Sequence, residues 1–290
     1  MASMRDIKRR KESIQSTQQI TKAMKLVSTV KLQRAKGRAE ASKPYFDKMY
    51  ETIQSILKKS GNVEHPYLSP NGSEKKAVIV VTSNRGLAGG YNNNVVKQIV
   101  EAGMSPQDTV IYGIGRKGIE FLARRGYQIV SDDSEMINEP LFSDAAEIGR
   151  KVLEAFSSGE IGEIYLAYTS FKNTVVHIPK LIRLLPMDMS VEETEEAEEK
   201  SAEKITPMNY EPEAEEALDL IIPRYLNSII YGAFMEAVAS ENGARMQAMD
   251  AATSNAEEMI SKLSLAYNRA RQGAITQELT EIISGAEALN

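Results

Sequence analysis

Three glycines stand in the pattern G-x-G-x-x-G at Gly113, Gly115 and Gly118. They follow a strand-like run from Thr109 and open a helix-like run near 116–125. Asp132 and Asp133 come after the next strand-like run, about 20 residues on, where a dinucleotide site keeps the acid that binds ribose. In such a site the glycines let the backbone approach a pyrophosphate, and the helix N-terminus supplies free amides. The motif belongs on the first βαβ unit, however, and here it follows the second strand. A tight strand-to-helix turn would need the same glycines and no ligand. A nicotinamide-dependent enzyme therefore stands as one reading and a structural turn as the other.

The remaining chemistry-bearing residues are sparse. A second glycine loop, Asn84 to Asn92, lacks the Lys-Ser/Thr pair that holds nucleotide phosphates, so the chain should not hydrolyse nucleotide by itself. There is no Cys, which excludes disulfides, thiolate metal sites and cysteine catalysis. The only histidines, His65 and His177, are far apart and have no partner at ligand spacing. Both are expected in loops or at the surface, and neither metal nor cofactor is expected. The basic stretch Arg5–Lys11 admits a third reading, a nucleic-acid binder, but no aromatic interleaving supports it.

Long elements must carry whatever site exists. Residues 1–60 hold fifteen Lys/Arg against five Asp/Glu, a net of +10 in a chain of −5. Such asymmetry predicts a basic N-terminal element that meets an acidic partner. Within 4–58 one heptad track runs Met4, Ile7, Lys11, Ile14, Gln18, Thr21, Lys25, Ser28, Leu32, Ala35, Ala39, Ser42, Phe46, Met49, Ile53, Ile56. Steps of three and four put these on one helix face, polar in its upper half and apolar from Leu32 down. A mirror track near the other end reads Met235, Ala239, Asn242, Met246, Met249, Thr253, Ala256, Ile260, Leu263, Tyr267, Ala270, Ala274. After a stutter come Ile275, Leu279, Ile282, Ala286 and Leu289, a tip expected to continue alone. Helices of ~54 and ~75 residues reach about 80 and 110 Å, too long for a compact globule.

Between them, Ala77–Thr82, 109–113, 127–130, 163–170 and 174–185 read as strands, and 91–102, 116–125 and 144–158 as helices, the last capped by Ser143. The fold class expected is α/β: a Rossmann-like small open sheet, mainly parallel, plus a long antiparallel coiled coil of the N- and C-terminal helices. The boundaries are a shaft helix at 1–60, the α/β domain at 75–190, an acidic linker at 191–208 and a second shaft helix at 209–290. No apolar run nears the ~20 residues that span a bilayer, and the polar segment after Met1 is unlike a secretory signal. An intracellular, soluble chain is expected.

Four blocks resemble one family. Ile20-Thr-Lys-Ala-Met-Lys-Leu-Val-Ser28 looks like the N-terminal shaft segment of F-type, bacterial-like ATP synthase gamma subunits, and Arg85-Gly-Leu-Ala-Gly-Gly90 like their domain loop. Ser240 to Met249 is similar as well, and Ala270 to Ala286 resembles the C-terminal signature. The resemblance implies a non-catalytic central-stalk rotor that couples proton flow through a c ring to ATP synthesis at the β subunits. Its implied partners are three α and three β subunits, the epsilon subunit and the c ring. No nucleic acid is implied, and the membrane would be met only through the complex, at the cytoplasmic face of the cell membrane. Carried over by position, Met24, Lys25, Arg245, Gln272, Thr276 and Glu278 would touch the stator, and Tyr210 and Glu211 the c ring and epsilon. Lys25 stands where many relatives have Glu. Ala88 replaces a common Cys, so thiol control is not expected.

Overall fold

The computed structural model describes residues 4–60, 65–187 and 214–287. Two long helices bracket an α/β region. Helix α1 spans Met4–Ser60 and the last helix, α5, spans Ala214–Glu287. Between them the order is β1 (Lys76–Val81), α2 (Tyr91–Glu101), β2 (Thr109–Ile114), α3 (Arg116–Ala123), β3 (Gln128–Asp132), a 3-10 turn (Ser134–Asn138), α4 (Phe142–Ser157), β4 (Glu163–Phe171) and β5 (His177–Leu185). The chain packs as two units, one of Met1–Val30 with Arg245–Asn290, the other of Lys31–Ala244.

In the larger unit, five strands form one sheet in the order β3-β2-β1-β4-β5. The first four are parallel and β5 returns antiparallel on β4, from Ile164↔Leu185 to Phe171↔His177. Strand β1 lies at the centre and is buried from Ala77 to Val81, as its unbroken Val/Ile run requires of a strand covered on both faces. Alternate side chains serve opposite layers. Val78 and Val80 meet Val95, Val96 and Ile99 of α2 and Leu122 of α3. Ala77, Ile79 and Val81 face the other way, into a cluster with Ile148, Val152 and Phe156 of α4.

That second layer is completed by α5. Leu218, Ile222, Tyr225, Leu226, Ile230, Phe234 and Ala237, spaced at helical period, are buried in the same cluster, and Ile53 of α1 joins them. Gly149 of α4 lets the two helices close, since a Cβ there would lie 1.9 Å from Asn227 Oδ1.

The seam expected on α1 holds wherever its side chains are described. Leu32, Ala35 and Ile53 are buried, Ala39 and Met49 partly so, and the internal Pro44 lies on the exposed face. Three local expectations are corrected. Ser143 does not cap α4: the helix begins at Phe142, and Asp144 Oδ2 accepts the Leu141 amide at 2.8 Å. Strand β5 starts at His177, because Asn173 Oδ1 accepts the amides of Val175 and Val176 and holds 173–176 as a turn. His177 is neither in a loop nor at the surface: it opens β5, with both ring nitrogens buried. His65 lies in a loop as expected, but a buried one. It is 4% exposed, accepts the Tyr67 amide at Nδ1 and bonds Asp219 through Nε2 at 3.0 Å.

Two glycines give opposite expectations. Gly115 has φ +110, and a Cβ there would stand 2.0 Å from the Thr82 carbonyl oxygen. Gly115→Ala is expected to cost about 3 kcal/mol through strain and clash. Gly37, inside α1 with nothing within 4 Å, should instead gain roughly 0.5–1 kcal/mol on replacement by Ala. Urea midpoints of the two variants, one falling and one rising, check both.

Candidate functional site

The glycine motif can be tested on its own amides. A dinucleotide site would leave the first amides of α3 free for phosphate. Here they are consumed within the chain. Arg116 N donates to Asn84 Oδ1 at 3.0 Å, Lys117 N to the Ser83 carbonyl at 3.0 Å, and Gly118 N to Thr82 Oγ1 at 2.9 Å. Thr82 Oγ1 in turn donates to the Gly115 carbonyl. Gly115 and Gly118 make room for Thr82, since a Cβ on Gly118 would lie 2.6 Å from its hydroxyl, and Gly113 makes room for Ile119. Both acids are also engaged, Asp132 by the Ser134 amide and Asp133 by Lys151 at 2.9 Å. The structural turn is therefore the reading the geometry supports.

An open α/β sheet binds ligands where its strand order reverses, at the carboxyl ends of the strands. In this sheet the reversal falls between β1 and β4. The chain's own α5 approaches there. Tyr91 Oη, from the first residue of α2, donates to the Ala237 carbonyl at 3.1 Å. Ser240 Oγ donates to the Thr169 carbonyl, and Phe171 N to Glu236 Oε2, both at 3.2 Å. The second glycine loop is similarly self-satisfied: Asn92 Oδ1 accepts from the Ser83 amide and hydroxyl.

The other unit is a helix pair. Gln18 Nε2 donates to Glu257 at 3.0 Å, the hydroxyls of Thr21 and Thr253 meet at 2.7 Å, and Lys25 Nζ lies 2.6 Å from Asp250. Rising numbers on α1 against falling numbers on α5 make the pair antiparallel. Met4, Ile7, Lys11, Ile14, Gln18 and Lys25 are half-buried, and Thr21 and Ser28 are buried, so the polar seam is real. Each threonine hydroxyl also faces a backbone carbonyl of its own helix, Gln18 or Met249. Two protons thus serve three contacts.

Of the candidate residues, Lys25 pairs with Asp250 and Met24 beside it is half-buried. Arg245 is 9% exposed. Gln272, Thr276 and Glu278 are exposed on α5, where Thr276 Oγ1 donates to the Gln272 carbonyl. They lie with the tip. From Arg271 to Ala286 every residue but Ala274 is exposed, including Ile275, Leu279, Ile282 and Ile283. Tyr210, Glu211 and the acidic linker fall outside the described residues. Sequence reasoning missed Asp250, whose role needs the register of the pair, and the exposed outer residues Ile20, Leu26, Val27 and Val30 of α1.

The family model described as ATP synthase matches residues 3–289. The ATP synthase gamma chain of Lachnoclostridium phytofermentans is 67% identical over 292 residues, covering all of both chains. The chain belongs to the ATP synthase gamma-chain family. The "ATP synthase gamma chain, sodium ion specific" of Acetobacterium woodii is 42% identical over 299 residues and covers 99% of each chain. The fold is also that of a chain in the Euglena gracilis mitochondrial ATP synthase, with TM-score 0.70, 20% identity, and coverage of 99% of this chain and 94% of that one. As a gamma chain it is a central-stalk rotor subunit, and catalysis lies in other subunits of the synthase.

Two measurements check the site. Equilibrium dialysis against NAD(H) or NADP(H) should show no binding, even at a ligand excess where RT ln(1 + [L]/Kd) would be about 2.7 kcal/mol for a real site. Lys25→Ala should cost less than about 1 kcal/mol, as for exposed ion pairs, and that cost should shrink in high salt.

Proposed function

We propose that this gamma chain is the shaft that turns inside a ring of three α and three β subunits, coupling ion flow through a c ring to ATP synthesis. The observation that carries the reading is the bare end of α5. Four large aliphatic residues, Ile275, Leu279, Ile282 and Ile283, are exposed beyond the paired segment. Apolar groups on a single helix gain nothing from water, and a surrounding partner that buries them gains about 1.5–3 kcal/mol for each. Gln272, Thr276 and Glu278 supply the polar contacts of the same segment with the stator. Lower down, half-exposed Met24 and Lys25 face the acidic lever loop of β, and Arg245, largely buried within this chain, adds a polar contact only where the stator reaches it.

A rotor works through differential contact. Each β site shifts between affinities only as far as the turning surface favours one of its states. The basic face of α1, with Arg5, Lys8, Arg9 and Arg10 exposed, suits an acidic stator surface. Tyr210 and Glu211 meet the c ring and epsilon at the foot. The complex lies at the cytoplasmic face of the cell membrane, and the chain reaches the membrane only through its partners. No helix among the described residues is long and apolar enough to cross it.

Deleting the chain from Arg271 onward tests this in the reconstituted complex. ATP-driven ion pumping should fall at least tenfold, the equivalent of about 1.4 kcal/mol and less than the burial of one Ile. Full pumping by the truncated complex would reject the tip's role. Substantial ATPase in the purified chain alone would reject the non-catalytic role.

A further inference from the structure

His177 opens β5 and its ring fills a notch in α5. The notch is Gly243: a Cβ there would fall 2.6 Å from Cε1 of the ring and 3.1 Å from Nε2. The ring of Phe171, paired with His177 across the β4–β5 ladder, lies 6.0 Å away between centroids. Both ring nitrogens are buried and neither makes a hydrogen bond of good geometry; the one polar group that reaches the ring is the Thr174 backbone. A neutral imidazole always carries one N–H and one lone pair, and beyond the Thr174 backbone this seat answers neither. A cation in the same seat would lose far more hydration. The seat is shared with two bonds on the same helix face: Glu236 accepts the Phe171 amide and Ser240 donates to Thr169. Positions 236, 240 and 243 follow the steps of four and three that line one face.

We propose that His177, seated against Gly243, is an acid-released latch holding the β4–β5 hairpin on the shaft helix. It goes beyond the rotor reading and does not depend on it. The neutral ring stays seated because packing suffices; the protonated ring leaves because the Thr174 backbone can answer only one of its two N–H groups and water must solvate the other. Burial holds the ring's proton affinity below the ordinary histidine value, with the Thr174 backbone opposing. The titratable groups near the seat in sequence are Glu236, Glu241 and Arg245 on α5 and Lys172 and Lys180 on the hairpin, and none of them shifts the ring. The sign follows. The latch is at full strength above the ordinary value of 6.5 and weakens as pH falls toward the ring's own lower value. Across that window the released form gains up to about tenfold per pH unit.

With only two histidines in the chain, NMR of the full-length protein can follow the ring directly. His177 is assigned by its absence in His177→Gln, and Gly243 is read from its labelled amide. Between about pH 7.5 and pH 5, bracketing the histidine range, the ring should titrate below the free value. The Gly243 amide should move with the same midpoint and stay still in His177→Gln. In Gly243→Ala, where the seat is filled, the ring should return to ordinary titration. A ring that titrates at the free value in the native chain overturns the latch. So does a Gly243 amide that responds equally in the variant. Both decisive readings come from the native protein, so they stand even if Gly243→Ala does not fold.

Discussion

One helix face governs the larger unit: the run of α5 from Leu218 to Ala237 that closes the sheet's second layer. A sheet with Val78 and Val80 on one side and Ile79 and Val81 on the other needs cover on both faces. Helices α2 and α3 cover the first face. On the second, α4 is joined by α5, which brings Leu218, Ile222, Leu226, Ile230 and Phe234 into the core. The part of the chain that reads as shaft is therefore also an organ of the α/β unit. Removing it would expose a hydrophobic sheet face rather than simply shorten a rod.

The same packing explains why a Rossmann-like sheet holds no dinucleotide signature in working order. The place where strand order reverses is met by α5 through Tyr91, Thr169 and Phe171. The amides of the glycine turn are met by Thr82, Ser83 and Asn84. Both positions that would recognise a phosphate are filled with polar groups of the chain itself. The sheet serves as a scaffold that fastens to a helix.

Much of this was legible in the residues. Helical period alone marked the α1 seam, and positions from Met4 to Met49 come out sheltered wherever their side chains are described. The α5 track is sheltered through Ala274 and bare after it, as its stutter foretold. The central strand was plain from its Val/Ile run. What period could not give is register. Nothing in either helix says that Lys25 meets Asp250, because any exposed acid on α5 would satisfy the pattern. Nor could it separate a glycine that admits a ligand from one that admits Thr82, since both demand a missing Cβ. The burial of the His65 loop was hidden for a similar reason: its ring bonds Asp219, 154 positions away.

The threonine pair has a mechanical side. An apolar seam opens as a block, since wetting one layer exposes the next. The layers at Gln18, Thr21 and Lys25 are held by discrete bonds that water can replace singly, at a net of roughly 0.5–1.5 kcal/mol for each hydrogen bond and below about 1 kcal/mol for the exposed ion pair. At Thr21 and Thr253 either hydroxyl can donate across the pair while the other donates to its own helix carbonyl, so the bond between them can change direction without breaking. Such a rod yields in small reversible increments under twist. It has the character of a torsion spring.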